Sequence, residues 1–386
     1  MRVGVYLDYN ATTPVLPEVV EAMIPYFRER YGNAASPHLW GKEAQDAVEK
    51  VRALLAEGVG ASPKEIIFTS GATESLNLAL FGLVRAYEHT GRRHILVSAI
   101  EHKAVLDPAK VLAQQGWEVE LLPVDSDGLV SPQVLQERLR PETLVVAVML
   151  ANNETGVIQP VAELASMAHA HGAFFMCDTT QAIGKIAVSF SALGVDLAVL
   201  SAHKFYGPKG VGALYVRRRS PRVVLHPIIF GGGHEGGLRS GTVAVPLIVG
   251  MGAAFERVVS DLEEEAQRQA HLRVRLLEGI QKLYPPVQVN GANAPRLPNT
   301  LSVSFPGLSA SDILARAPLL GAATGSACTS ARPEPSHVLL AMGCPPAIAR
   351  STLRFSIGRF TTEREIDQAL AYLAAALQSL TPHPTV

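Results

Sequence analysis

Lys204 closes the apolar run Val195-Asp196-Leu197-Ala198-Val199-Leu200 and is followed at once by Phe-Tyr-Gly-Pro-Lys-Gly. An amine placed where a buried strand meets a loop is awkward for a core. It suits one reaction well, condensation with the carbonyl of a cofactor. Ser201 and His203 stand beside it, and both can hydrogen-bond an anion. The ordinary alternative is a strand-end lysine pointing into solvent. Asp178 ends a second apolar run, Ala173 to Cys177. A carboxylate buried there needs a cationic or hydrogen-bonding partner. A protonated pyridine nitrogen would be such a partner, and a ring held in that state is a better electron sink. The competing use of Asp178 is a helix N-cap. Gln181 lies three residues on, close enough to face the same pocket.

Other strand-end residues join these. Residues 69–73 (Thr-Ser-Gly-Ala-Thr) follow a short strand and open a helix. Small residues there let backbone N–H groups approach an anion, and the helix dipole favours a phosphate. A tight turn also wants glycine, so the signal is weak alone. His102, in Ala-Ile-Glu-His-Lys, follows another strand and can stack on a flat ring or move protons. Asn152 and Asn153 follow a third, where an amide can bond a phenolic oxygen or a substrate. Each has a structural alternative, but a phosphate cradle, a carboxylate, a histidine, an amide and a lysine all at strand ends are hard to explain separately. Ligands of open parallel sheets bind beyond the carboxyl ends of the strands.

A second constellation is residues 325–330 (Gly-Ser-Ala-Cys-Thr-Ser). Small polar neighbours suggest an exposed loop for Cys328, where a free thiol is a liability unless it reacts; the alternative is an inert small residue. Cys177 sits in an apolar strand as a small core residue, and Cys344 precedes Pro-Pro in a turn. Arg354, in a strand of the C-terminal part, suits bidentate recognition of a carboxylate such as that of an amino acid. Its alternative is an inter-domain salt bridge. The loop from Gly231 to Thr242 is dense in glycine, which fits close approach to a ligand or another subunit. His169 and His171 lack a third ligand and fall in a helical surface pattern, so no metal site is expected.

The elements that position these residues alternate as βα units between residues 45 and 216. Strands are expected at Ile66–Thr69, His94–Ser98, Leu144–Leu150, Ala173–Cys177, Leu197–Leu200 and Gly212–Val216, with a helix from the 70–73 turn through Leu83. The runs are continuously apolar, so they should be buried on both faces of a mostly parallel sheet. One long charged helix is expected from about Phe255 to Lys282, ended by Pro285-Pro286. Residues 301–305 and 352–356 read as strands of a smaller unit, and Thr362 with Glu365 forms a capping box before a last helix. The fold class is therefore α/β: a large α/β domain and a smaller C-terminal α+β domain.

A chain of 386 residues that is 48% hydrophobic can bury a sizeable core in more than one domain. A net charge of -1 gives no basic field for nucleic acid. No apolar run reaches the roughly 18 residues of a membrane span, and Asp8 and Asn10 interrupt the N-terminus too early for a signal peptide. Three scattered cysteines with no CxxC pair argue against disulfides and structural zinc, and for a reducing cytoplasm.

Taken together, the motifs resemble the cysteine desulfurases of the NifS/IscS type, within the class V aminotransferase (fold type I) superfamily of pyridoxal-phosphate enzymes. The resemblance runs through residues 6–14 (Tyr-Leu-Asp-Tyr-Asn-Ala-Thr-Thr-Pro), 68–75, 101–105, 152–154, 178–181, 201–204, 239–242, 325–330 and 354–360, nearly the whole chain. It implies a large domain with a mostly parallel, seven-stranded-type sheet over residues 15–255. Residues 1–14 with 256–386 would form the small domain carrying the Cys328 loop. The implied cofactor is pyridoxal 5'-phosphate, joined to Lys204, paired with Asp178, stacked on by His102 and contacted by Gln181 and Asn153. Ala72, Thr73, Ser201 and His203 would hold its phosphate. Thr242 would reach that phosphate from a neighbouring subunit, which implies a homodimer. Arg354, with Asn153, would bind the substrate, L-cysteine. Lys204 and His102 would move protons, and Cys328 would receive the sulfur as a persulfide, leaving L-alanine.

The resemblance further implies an iron–sulfur scaffold protein or another sulfur acceptor as partner, for cluster assembly and thionucleoside synthesis, with transient iron–sulfur ligation by Cys328 as an added role. The Cys328 context matches the long-loop group of the family rather than the SufS-like one. Ala202 and Thr179 depart mildly from the usual pattern. A related lyase acting on selenocysteine would keep Lys204 and Asp178 but not require Cys328, and a silent scaffold would require none of them.

Overall fold

The computed structural model describes residues 4–219, 222–324 and 334–380. The chain opens with a two-residue strand, β1 (Val5–Tyr6). Seven strands then build the main sheet: β2 (Ile66–Thr69), β3 (His94–Ser98), β4 (Glu118–Leu122), β5 (Thr143–Ala147), β6 (Phe174–Asp178), β7 (Leu197–Ser201) and β8 (Gly212–Val216). Their order across the sheet is β2-β8-β7-β6-β5-β3-β4. All run in one direction except β8, which is antiparallel to both β7 and β2. The α/β class with a mostly parallel sheet is thus observed.

Continuous apolar runs make this sheet because both faces are covered. Alternate residues serve opposite cores. Phe175, Cys177, Ala198 and Leu200 join one buried cluster, and Phe174, Met176, Leu197 and Val199 join the other. Phe175 is fully buried, which contributes about 2 to 3 kcal/mol by area removed from water. The strand β4 escaped the sequence reading. It is an edge strand with alternating Glu118 and Glu120, whose carboxylates pair with Arg138 and Arg140. Edges carry charge to discourage further pairing, so an edge strand lacks the apolar run used to find the others. The strand expected over 144–150 ends at Ala147 by regular pairing. The chain stays extended beyond it, with the Val148 and Leu150 N–H groups donating to the Met176 and Asp178 carbonyls. The helix after the 70–73 turn runs from Ala72 to Tyr87, one turn past the expected end.

The remaining strands are β9 (Gln288–Val289), β10 (Thr300–Ser304), β11 (Leu320–Gly321), β12 (Ala323–Thr324) and β13 (Thr352–Ser356). A four-stranded antiparallel sheet has the order β12-β13-β10-β9, and β1 pairs with β11. Leu272, Leu276 and Ile280 of one helix and Ile366, Ala369 and Leu373 of another pack on Leu301, Val303, Leu353 and Phe355. The capping box forms: Thr362 Oγ1 accepts from the Glu365 N–H and Glu365 Oε2 from the Thr362 N–H.

The helix expected from Phe255 to Lys282 is two helices, Val245–Ser260 and Leu262–Leu283. Asp261 breaks them, held by Arg257 and by both terminal nitrogens of Arg359 at 2.6 and 2.8 Å. The physical reason is that the two halves serve different cores. Ile248, Met251 and Phe255 pack with the main sheet, whereas Leu272 and Leu276 pack with the small one. Among the described residues no helix is long and apolar enough to cross a membrane.

Candidate active site

Five strand ends converge on one cleft of about 620 Å³, within the range of small-molecule sites. Ala72, Thr73, His102, Asn153, Asp178, Gln181, Ser201, His203, Lys204 and Arg354 all line it. Two expected residues do not. Thr242 is exposed on the glycine-dense loop and lies outside the cleft. Cys328 lies outside the described residues. A second cavity, about 520 Å³, sits under that loop between Arg52 and Glu235 and contains none of the strand-end residues.

Lys204 lies three residues past β7, at the end of the short turn Ala202–Lys204, and is half-buried. Its Nζ donates to the Asn10 and Ala11 carbonyls at 2.6 and 2.8 Å. Burial, reinforced by the Arg354 charge and opposed by Asp178 and Asp8, lowers its amine to about 8. At pH 7.5 roughly a quarter of such an amine is neutral, against about one part in a thousand at the ordinary value. His203 Nδ1 meets Thr12 Oγ1 at 3.1 Å, and burial with Lys204, Lys209 and Lys185 pushes it down to about 4. The ring is therefore neutral near pH 7.

Asp178 is buried at the end of β6. Its Oδ1 accepts from the Thr180 N–H at 2.9 Å, so one oxygen caps the following turn. The capping use and a cleft-facing carboxylate are compatible. Gln181 Nε2 donates to the Asn10 carbonyl at 3.0 Å. His102 is the N-cap of the helix Lys103–Gln114, its Nδ1 accepting from the Ala104 N–H at 3.1 Å. That bond leaves the proton on Nε2. Burial lowers the ring's pKa, with Asp178 opposing and Lys204 adding to the effect.

Ala72 begins its helix after Gly71, whose φ of 151° few other residues adopt. Intrahelical bonding begins with the Ser75 N–H on the Gly71 carbonyl, so the Ala72 and Thr73 N–H groups stay available to an anion. The Ser201 hydroxyl, close to Gly71, has no hydrogen-bond partner among the described residues.

Arg354 is buried on β13. Its Nη1 donates to the Asn153 carbonyl at 3.0 Å and its Nη2 to Asp8 Oδ1 at 2.6 Å. Its Nε is buried without an acceptor among the described residues, as is Thr180 Oγ1 in the same cleft. Buried polar atoms left unpaired are costly, and these two lie on residues that line the cleft, where a ligand could satisfy them. A lysine with a lowered amine pKa, a strand-end carboxylate, a helix N-terminus and these orphan donors fit an aromatic aldehyde phosphate and an amino-acid carboxylate.

The chain matches the family model for aminotransferase class-V over residues 5–369. It belongs to that family. Cysteine desulfurase IscS of Anaeromyxobacter sp. (strain K) is 48% identical over 381 residues, 98% of this chain and 94% of that protein. The solved structure of a NifS-like protein superposes with a TM-score of 0.90 at 41% identity, covering 97% of this chain and 100% of the other. A structure described as SspA in complex with cysteine has a TM-score of 0.82 at 35% identity, over 93% and 100% of the two chains. The fold is that of the fold type I pyridoxal-phosphate enzymes, and this class-V chain is a pyridoxal 5'-phosphate enzyme.

Sequence reasoning passed over one hub of this class-V site. Asn10 was read only for its polarity and as part of a motif. Its carbonyl accepts from Lys204 and Gln181, and its Nδ2 donates to the Asn153 carbonyl and to Thr300 Oγ1. The signal available was two polar residues, Asp8 and Asn10, in an otherwise apolar and aromatic stretch from Val5 to Asn10. Nothing local says that it lies against residues 143 to 290 positions away. His169 and His171 are used structurally, on Asp196 and on the Met167 carbonyl.

Proposed function

We propose that this chain is a pyridoxal-phosphate-dependent cysteine desulfurase, which converts L-cysteine to L-alanine and passes the sulfur on as a Cys328 persulfide. The observation that carries the reading is the convergence in one cleft of a lysine with a lowered amine pKa, a strand-end carboxylate and an arginine with an unpaired buried N–H. The Ala72 and Thr73 N–H groups, Ser201 and His203 would hold the phosphate, and Asp178 the pyridine nitrogen. When bound, the cofactor supplies an electron sink for the pair released at the substrate Cα.

The chain's own residues then do the following. Arg354 grips the substrate carboxylate, using its free Nε–H and exchanging or sharing its Asp8 contact. Lys204, neutral in a useful fraction near pH 8, takes the Cα proton. His102, with its proton on Nε2, stands at the cleft mouth to exchange a proton with the substrate thiol. The Cys328 thiolate attacks the substrate sulfur; the S–S bond forms and the Cβ–S bond breaks. Cysteine plus an enzyme thiol thus becomes alanine plus an enzyme persulfide, with no external oxidant. A thiol or an acceptor protein takes the terminal sulfur by attack on the persulfide.

The acceptors proposed are an iron–sulfur scaffold protein and enzymes of thionucleoside synthesis, in the cytoplasm. A homodimer completes the reading, with Thr242 reaching the partner's phosphate site. Its support is that Thr242 is exposed and does not line the cleft of its own chain among the described residues. Tyr31, Leu39 and Trp40 are also large exposed apolar residues around Ala34 and Ala35, which line the cavity under the same loop.

The test is to incubate the protein with L-cysteine and a reducing thiol and to measure alanine and sulfide together. Equal amounts from the wild type, both lost in Cys328→Ala, are expected. Undiminished product from Cys328→Ala would remove the persulfide from the mechanism and leave a lyase of the same fold.

A further inference from the structure

A second lysine is buried behind the cleft. Lys185 is 7% exposed, and its Nζ donates to Gln181 Oε1 at 2.6 Å and to Asn10 Oδ1 at 3.1 Å. No carboxylate is among its partners in the described residues. Two acceptors match the two N–H groups of a neutral amine. An ammonium would carry a third N–H with nothing to receive it, at a buried site already facing the charges of Lys204 and Arg354. Burial, then those two cations, lower Lys185 well below the ordinary lysine range.

The network also fixes which way the Gln181 amide faces. The Asn10 carbonyl can only accept, so Gln181 must turn Nε2 toward it. Oε1 then faces Lys185, which donates to it. One Nε2–H is spent on Asn10, and the other has no partner among the described residues on a side chain that lines the cleft. From Asn10 the same bonds continue to the Asn153 carbonyl, which also accepts from Arg354.

We propose that Lys185 is a positioning residue: as an uncharged hydrogen-bond donor it locks Gln181 so that an N–H, not the amide oxygen, is offered to the oxygen of the bound cofactor. The proposal rests on the cofactor reading given above. An N–H donated to that oxygen favours its deprotonated form. Releasing Gln181 therefore raises the pH at which the bound cofactor changes its absorbance.

The experiment is a spectroscopic pH titration of the holoenzyme without substrate, for wild type, Lys185→Met, Gln181→Ala and the double variant. Lys185→Met and Gln181→Ala are each expected to move the midpoint upward, by about one pH unit, and the double variant no further than one of them. Lys185→Gln keeps a neutral N–H donor and should titrate close to wild type, which separates positioning from folding should Lys185→Met be unstable. A midpoint unmoved in folded Lys185→Met while Gln181→Ala shifts overturns the proposal. So does a double variant whose shift is the sum of the two, or a Lys185→Gln variant that shifts fully. Wild-type protein that shows no cofactor band after incubation with pyridoxal phosphate overturns the cofactor reading itself, and this proposal with it.

Discussion

Replacing Arg354 with Gln tests the site most directly. The guanidinium has three nitrogens in use or waiting: Nη1 on the Asn153 carbonyl, Nη2 on Asp8, and a buried Nε with no acceptor among the described residues. If a substrate carboxylate takes two of them, each charge-assisted bond is worth about 1.5 to 3 kcal/mol. Two such bonds give about 3 to 6 kcal/mol, or about 10² to 10⁴-fold in kcat/KM. The low end is expected, because binding must compete with Asp8 for Nη2. Arg354 also helps depress the Lys204 amine. Removing a neighbouring cation stabilises the protonated amine, so its titration moves upward and less of it is neutral at pH 8. The assay is alanine formation against L-cysteine concentration from pH 6 to 10, with retained cofactor absorbance as the check on folding. A fall of about 100-fold or more, with an alkaline shift of the pH profile, is expected. A folded variant within threefold of wild type, with an unmoved profile, would refute the carboxylate role and the charge coupling together.

Three further outcomes are expected. Lys204→Ala should lose the absorbance near roughly 400 nm that a lysine-linked pyridoxal gives, and dialysis should then remove the cofactor. His102→Asn keeps a short side-chain acceptor for the Ala104 N–H but removes the ring; kcat should fall by about 10²-fold or more with thermal stability nearly unchanged. Glu154 is buried beside Ser336, whose hydroxyl donates to it, and burial raises its carboxyl from the ordinary 4.5 to about 7. Between those two pH values the folded chain holds a proton that the unfolded chain has released, so this group's contribution to stability falls as pH rises and is gone above about 7. Glu154→Gln should remove that slope, gaining on wild type by up to about 3 kcal/mol from pH 4.5 to pH 8 in denaturant melts; parallel stability curves would refute it.

What the sequence by itself determined was whatever depends on neighbours along the chain. Apolar runs of strand length located six of the seven main-sheet strands, because strands buried on both faces must be apolar throughout. The polar residue just beyond each run, Asp178, Ser201 or Thr69, was legible for the same reason, since a parallel sheet sends all such ends to one side. That they share one cleft followed from topology. The capping box at Thr362 and Glu365 was legible because a cap is satisfied within four residues. Tertiary structure decided the rest. β4 was hidden because an edge strand is charged, and the helix break at Asp261 because its cause, Arg359, is 98 residues away. Asn10, Asp8 and Lys185 join the site through bonds to residues as far as 346 positions along the chain. No local pattern marks a lysine whose amine pKa is lowered. For Lys185 that follows from burial beside Lys204 and Arg354, with two acceptors and no carboxylate among its described partners.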